Sequence, residues 1–188
     1  MSCCVGLLPP DRSAILGAII AGGRSTRFGS DKALATLDGR PLIEHVRHML
    51  AGQVREVIVV GRSHAGLRAV PDQPAPGLGP LGGIAAALLE ARAMGLSAVL
   101  TAPCDAYDLP ADLAALLFPF PAYVESLPVV GLWPTEAADA ALALLDSDEK
   151  HAVTRFAGRI AARAVKLARE PANINTEADL ERVERHGI

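Results

Sequence analysis

The hydrophobic positions of this chain fall in compact blocks separated by Gly- and Pro-rich breaks. Ala14–Ile20 is a continuous apolar run, the pattern of a strand buried on both faces, and Ala21-Gly22-Gly23 ends it abruptly. Pro41–Leu50 reads as a helix, with Pro41 suited to the first turn and Leu42, Val46, Met49 and Leu50 on one face. Glu56–Val60 is a second buried strand ended by Gly61, and Leu67–Val70 a short third one ended by Pro71. After the Pro/Gly-rich loop 71–80 comes the alanine-rich helix Leu81–Met94, stopped by Gly95. Further strands are expected at Ala98–Ala102, Leu127–Leu132 and Arg163–Leu167, and helices at Ala111–Leu117, Glu136–Leu145, His151–Ala157 and Thr176–Arg185. Thr176 and Asp179 form a capping-box-like start to that last helix. Residues 1–13 carry no periodic pattern and read as a flexible N-terminal extension to a single domain over 14–188.

Alternation of strand and helix implies βαβ units, hence a three-layer α/β/α, Rossmann-like fold with a mostly parallel sheet. In such sheets ligands bind beyond the carboxyl ends of the strands. The residues that follow each strand therefore carry the functional question.

Composition narrows the ligand. Aromatic residues are scarce, the net charge is −3 and no basic stripe appears, which argues against nucleic acid as the main partner. An odd set of three cysteines (Cys3, Cys4 and Cys104) argues against a disulfide framework, and no neighbouring Cys or His completes a zinc site around Cys3 and Cys4. No stretch is long enough to span a bilayer, and no secretory signal is evident, so the expectation is a reducing, cytoplasmic setting.

The loop after the first strand runs Ile20-Ala21-Gly22-Gly23-Arg24-Ser25-Thr26-Arg27-Phe28-Gly29-Ser30-Asp31-Lys32. Its glycines permit sharp turns that bring N–H groups close to an anion, and Arg27 and Lys32 add full charges, which together suit a triphosphate. The spacing is not that of a P-loop, where Lys directly follows the last Gly, nor of the Gly-x-Gly-x-x-Gly dinucleotide fingerprint. An ordinary glycine turn with two solvated cations is the plainer alternative. Asp105, in Pro103-Cys104-Asp105 at the end of a predicted strand, is placed either to bind Mg²⁺ or to cap a turn. Asp72 is a loop acid. Gly79-Pro80-Leu81-Gly82-Gly83 opens a helix, where small residues either face an anion or allow tight packing. Asn173-Ile174-Asn175-Thr176 precedes the last helix and has the composition of a turn and cap.

These motifs, in this order, resemble those of the molybdenum cofactor guanylyltransferases (the MobA-like nucleotidyltransferases). The first loop matches the family pattern Leu-Ala-Gly-Gly-x-Ser-x-Arg-Met-Gly-x-Asp-Lys, with Ile20 for the Leu and Phe28 for the Met. Gly-Pro-Leu-x-Gly, Pro-Cys-Asp and Asn-x-Asn-Thr follow, and the resemblance spans Leu16 to Val183. Sugar-phosphate and cytidylyl transferases share the first loop. The resemblance implies a nucleotide site of Ile20, Ala21, Gly22, Gly23, Lys32, Asp72, Gly79, Gly83 and Asp105. It implies Arg27, Lys32 and Asp105 as catalytic, Asp105 as ligand to a Mg²⁺ cofactor, and Asn173 and Asn175 as substrate contacts. The implied substrates are GTP and molybdopterin, with cofactor delivery and acceptor proteins as partners. Three departures stand out: Leu127 replaces a family His, Val60-Gly61-Arg62 lacks an Asn that some relatives use on guanine, and the Arg that some carry before the penultimate helix is not matched, with Lys150 or His151 lying nearby. Use of CTP, use of a sugar phosphate, and a non-catalytic regulatory role stay open at this point.

Overall fold

The structure, a computed structural model, describes residues 11–22, 35–174, 179 and 181–183. A single 3₁₀ turn, Arg12–Ala14, leads into β1 (Ile15–Ile20). Asp11 caps that turn, accepting from the Ser13 backbone N–H at 3.0 Å and its hydroxyl at 2.8 Å. Next come β2 (Thr36–Leu37) and β3 (Arg40–Pro41), a small hairpin that the hydrophobic pattern does not predict. Its turn is Asp38-Gly39, with φ of 51° and 73°, the paired left-handed conformation of a two-residue type I′ connection.

The chain continues through α1 (Leu42–Ala51), β4 (Glu56–Val60), β5 (Arg68–Val70), α2 (Pro80–Ala93) and β6 (Ala98–Pro103). These lie within two residues of their predicted bounds. Beyond them come β7 (Ala106–Tyr107), α3 (Leu113–Leu116), β8 (Ala122–Val124), β9 (Leu127–Pro134), α4 (Ala138–Leu145), α5 (Val153–Arg159), β10 (Arg163–Val165) and β11 (Ala172–Asn173). Residues 179 and 181–183 are helical, within the predicted closing helix.

The main sheet has seven strands in the order β10-β8-β9-β6-β1-β4-β5. β5, β4, β1 and β6 run parallel, while β9 is antiparallel to both of its neighbours. β8 and β9 are joined by only Glu125-Ser126, a connection too short for anything but a hairpin, so β9 must reverse. The expected mostly parallel α/β/α arrangement is therefore the one observed, with one reversed strand.

Alternation within the strands sends side chains to two cores. Leu16, Ala18 and Ile20 of β1 pack with Ile58, Val60 and Trp133 against α2, α4 and α5. Ile15 and Ile19 pack with Val59, Leu100 and Leu132 against α1 and α3. A third, small cluster joins Leu37 of the hairpin, Leu42 of α1, Ile174 after β11 and Val183 of the closing helix.

Candidate functional site

At its carboxyl end β1 is held between two parallel strands, with Ile20 in register with Val60 of β4 and Pro103 of β6. Ala21 N–H donates to the Val60 carbonyl at 2.9 Å, and Cys104 N–H donates to the Ile20 carbonyl at 3.2 Å. From β1 the chain moves one way through α1 to β4 and β5, then returns through α2 to β6 on the other side. The strand order reverses at β1, which makes the end of this strand the topological switch point where open α/β sheets bind ligands.

Glycines from three elements meet there. Gly61 ends β4 with φ of +85°, and its N–H donates to the Val70 carbonyl at 2.9 Å. A Cβ at Gly61 would stand 2.4 Å from the Gly22 Cα, a backbone collision that no rotamer can relieve. A Cβ at Gly22 would stand 2.6 Å from an Asp72 carboxylate oxygen. One at Gly83, in the first turn of α2, would stand 2.9 Å from Ile20 Cγ2 and 3.5 Å from Asp72 Oδ1. Side-chain-free backbone from β1, β4 and α2 thus surrounds one carboxylate. Gly79 differs: it precedes α2 with φ of +74°, and an added Cβ would meet nothing within 4 Å, so its glycine serves the backbone turn.

Asp72 follows β5 and is half-buried. Burial pushes its carboxyl above the usual carboxylate range, because removing the charged form from water is unfavourable. Among the described residues no group donates a hydrogen bond to it. The next residue, Gln73, donates its N–H to the Gly82 carbonyl at 3.3 Å, which ties the Asp72 loop to the start of α2.

Asp105 sits two residues beyond β6, on the other side of β1. The C-terminal segment folds back onto it: β11 pairs antiparallel with β7, and Ile174 N–H donates to the Asp105 carbonyl at 3.1 Å. With its amide nitrogen turned toward the carboxylate, Asn173 lies 2.8 Å from both Oδ1 and Oδ2 of Asp105. Sequence reasoning grouped Asn173 with substrate contacts and did not foresee this bond, since 68 positions separate the two residues (173 less 105). It also read Gly61 only as a strand stop. A glycine at a strand end facing a second glycine turn was the available signal.

Gly23, Arg27, Lys32, Asn175 and Thr176 lie outside the described residues. Among those described, no group of three or more His, Cys, Asp or Glu is placed to hold a metal ion. Mg²⁺ typically takes one or two carboxylates and fills its sphere with water and phosphate oxygens, so a single carboxylate such as that of Asp105 suits it. Within the described residues no helix is long and apolar enough to cross a membrane.

A switch-point site walled by glycine backbone and carboxylates belongs to the nucleotide-handling α/β proteins as a class. The chain belongs to the MobA-like NTP transferase domain family, whose model matches residues 17–160. It is 38% identical to a molybdenum cofactor guanylyltransferase of Acidiphilium cryptum, over 93% of this chain and 96% of that protein. It is 36% identical to one of Rhizobium leguminosarum bv. trifolii, over 93% of each. Its fold is similar to the crystal structure of molybdopterin-guanine dinucleotide biosynthesis protein A from Archaeoglobus fulgidus, with a TM-score of 0.72, covering 90% of this chain and 97% of that one at 19% identity.

Proposed function

We propose that this chain transfers GMP from GTP to the terminal phosphate of molybdenum-loaded molybdopterin, releasing pyrophosphate. Near-full-length similarity to proteins named guanylyltransferases carries the reading. Glycines at the carboxyl end of β1 give it a physical basis, since a triphosphate needs close backbone approach.

An oxygen of the pterin phosphate attacks the α-phosphorus of GTP, and the bond to the β-phosphate oxygen breaks. That nucleophile is already an anion at neutral pH, so positioning and charge neutralisation are the chain's tasks. Backbone N–H groups around Gly22 and Gly23 hold the phosphates, and Arg27 and Lys32 offset their charge. Asp105 would hold Mg²⁺, which when bound would neutralise charge on the phosphate oxygens. Asp72 accepts hydrogen bonds, and ionised carboxylates suit the N1–H and N2 amine donors of guanine, a pair that cytosine lacks. Position 61 cannot supply a base-reading side chain, because any Cβ there meets Gly22. The departure from relatives with an Asn after the second strand thus shifts base selection toward Asp72. Asn175 and the pterin contacts complete the site, and delivery and acceptor proteins are its partners in a cytoplasmic setting.

Pyrophosphate release with Mg²⁺, molybdopterin and GTP, CTP or ATP tests the reading. Release with GTP alone is expected. Preference for CTP would overturn the guanylyl assignment, and release with none would overturn transfer to this acceptor.

A further inference from the structure

The contact between Asn173 and Asp105 has no obvious use in binding a substrate, because both partners belong to the protein. We infer that Asn173 is a positioning residue: its amide holds the Asp105 carboxylate in the orientation that receives the divalent ion. This rests on the reading of Asp105 as the metal ligand.

Three features carry the inference. The Asn173 nitrogen lies 2.8 Å from each Asp105 oxygen, so the amide contacts the carboxylate as a whole rather than one end of it. The contact is anchored independently of the side chains, by the β7–β11 pairing and by Ile174 N–H on the Asp105 carbonyl. Ile174 is fully buried in the cluster with Leu37, Leu42 and Val183, which fixes the segment that carries Asn173. Asp105 itself lies beyond the end of β6, where backbone pairing alone does not set its side-chain torsions. An amide donor fixes the carboxylate plane and leaves lone pairs on both oxygens, since an ionised carboxylate offers about four acceptor sites. Residues that orient a metal ligand typically contribute 10- to 100-fold to metal affinity.

The amide has two ends, and that makes the inference testable against its nearest rival. Were Asn173 itself a ligand, its oxygen would face the ion and an Asp in its place would serve as well or better. As a donor to Asp105, an Asp in its place would repel the carboxylate it now holds.

The experiment titrates Mn²⁺ into the full chain by electron paramagnetic resonance, with GTP present and no pterin, so neither turnover nor acceptor binding enters. Asn173→Ala is expected to weaken Mn²⁺ at least tenfold, and Asn173→Asp at least as much, with both variants retaining the wild-type circular dichroism spectrum. Wild-type Mn²⁺ affinity in Asn173→Ala, while Asp105→Asn loses it, overturns the positioning role and leaves Asp105 as the ligand. Undiminished or tighter binding in Asn173→Asp overturns it in favour of direct ligation. Unchanged affinity in Asp105→Asn overturns the metal site itself, and the inference with it.

Discussion

At the scale of single residues the sharpest feature is Asp72, a carboxylate enclosed by Gly22, Gly61 and Gly83 and raised in pKa by burial alone. The folded state binds its proton more tightly than the unfolded chain does. Its cost to stability is therefore absent below the usual carboxylate value of about 4 and grows as pH rises through the raised value. Asp72→Asn removes the charge at similar volume. Urea unfolding without nucleotide should show the variant more stable than the parent at pH 7, and equal to it at about pH 3 where both side chains are neutral. Equal midpoints at pH 7 would mean that the carboxylate is not penalised in the fold. The same variant should bind GTP more weakly, so that the group costs stability and serves binding, a trade common at functional sites.

At the scale of elements, the sequence disclosed β1, β4, β6 and α2 well because each is an unbroken apolar or alanine-rich run whose end is marked by Gly or Pro. It disclosed the short pieces poorly. β7 and β11 are two residues each and carry no pattern of their own; they exist because the C-terminal segment returns to the end of β6. The β2–β3 hairpin was legible in Asp38-Gly39 but too short for hydrophobic alternation to mark. These pieces matter for the site, since β11 brings Asn173 to Asp105. They are secured by the small cluster of Leu37, Leu42, Ile174 and Val183, which has few members to absorb a loss. Ile174→Ala should cost about 2–5 kcal/mol if the cluster behaves as a packed core. Proteolysis and hydrogen exchange should locate the loosening in the hairpin and the C-terminal segment, with β1, β4 and β6 still protected. Uniform loss of protection across the main sheet would show instead that the cluster is inseparable from the two larger cores.

At the scale of the molecule, the proposed site belongs to no single segment. Its described members come from the ends of β1, β4, β5 and β6, the start of α2 and the C-terminal return, so they converge only when the sheet order is complete. Binding should consequently be linked to the stability of the whole sheet rather than of a local loop. A ligand that binds only the folded chain stabilises it by about 2.7 kcal/mol at a concentration 100 times its Kd. Thermal melts of the parent should thus rise with GTP and rise further when Mg²⁺ is added. Asp105→Ala separates the two steps. Its carbonyl still accepts from Ile174 N–H, so the variant without ligand should melt near the parent, within the roughly 0.5 kcal/mol usual for substitutions outside the core. The increment from GTP alone should persist, because the glycine backbone proposed to hold the phosphates is left unchanged, whereas the further increment from Mg²⁺ should vanish. A Mg²⁺ increment equal to the parent's would place the ion away from Asp105. A melt that split into two transitions with GTP, one ligand-sensitive and one not, would contradict the assembly of this site from the whole sheet.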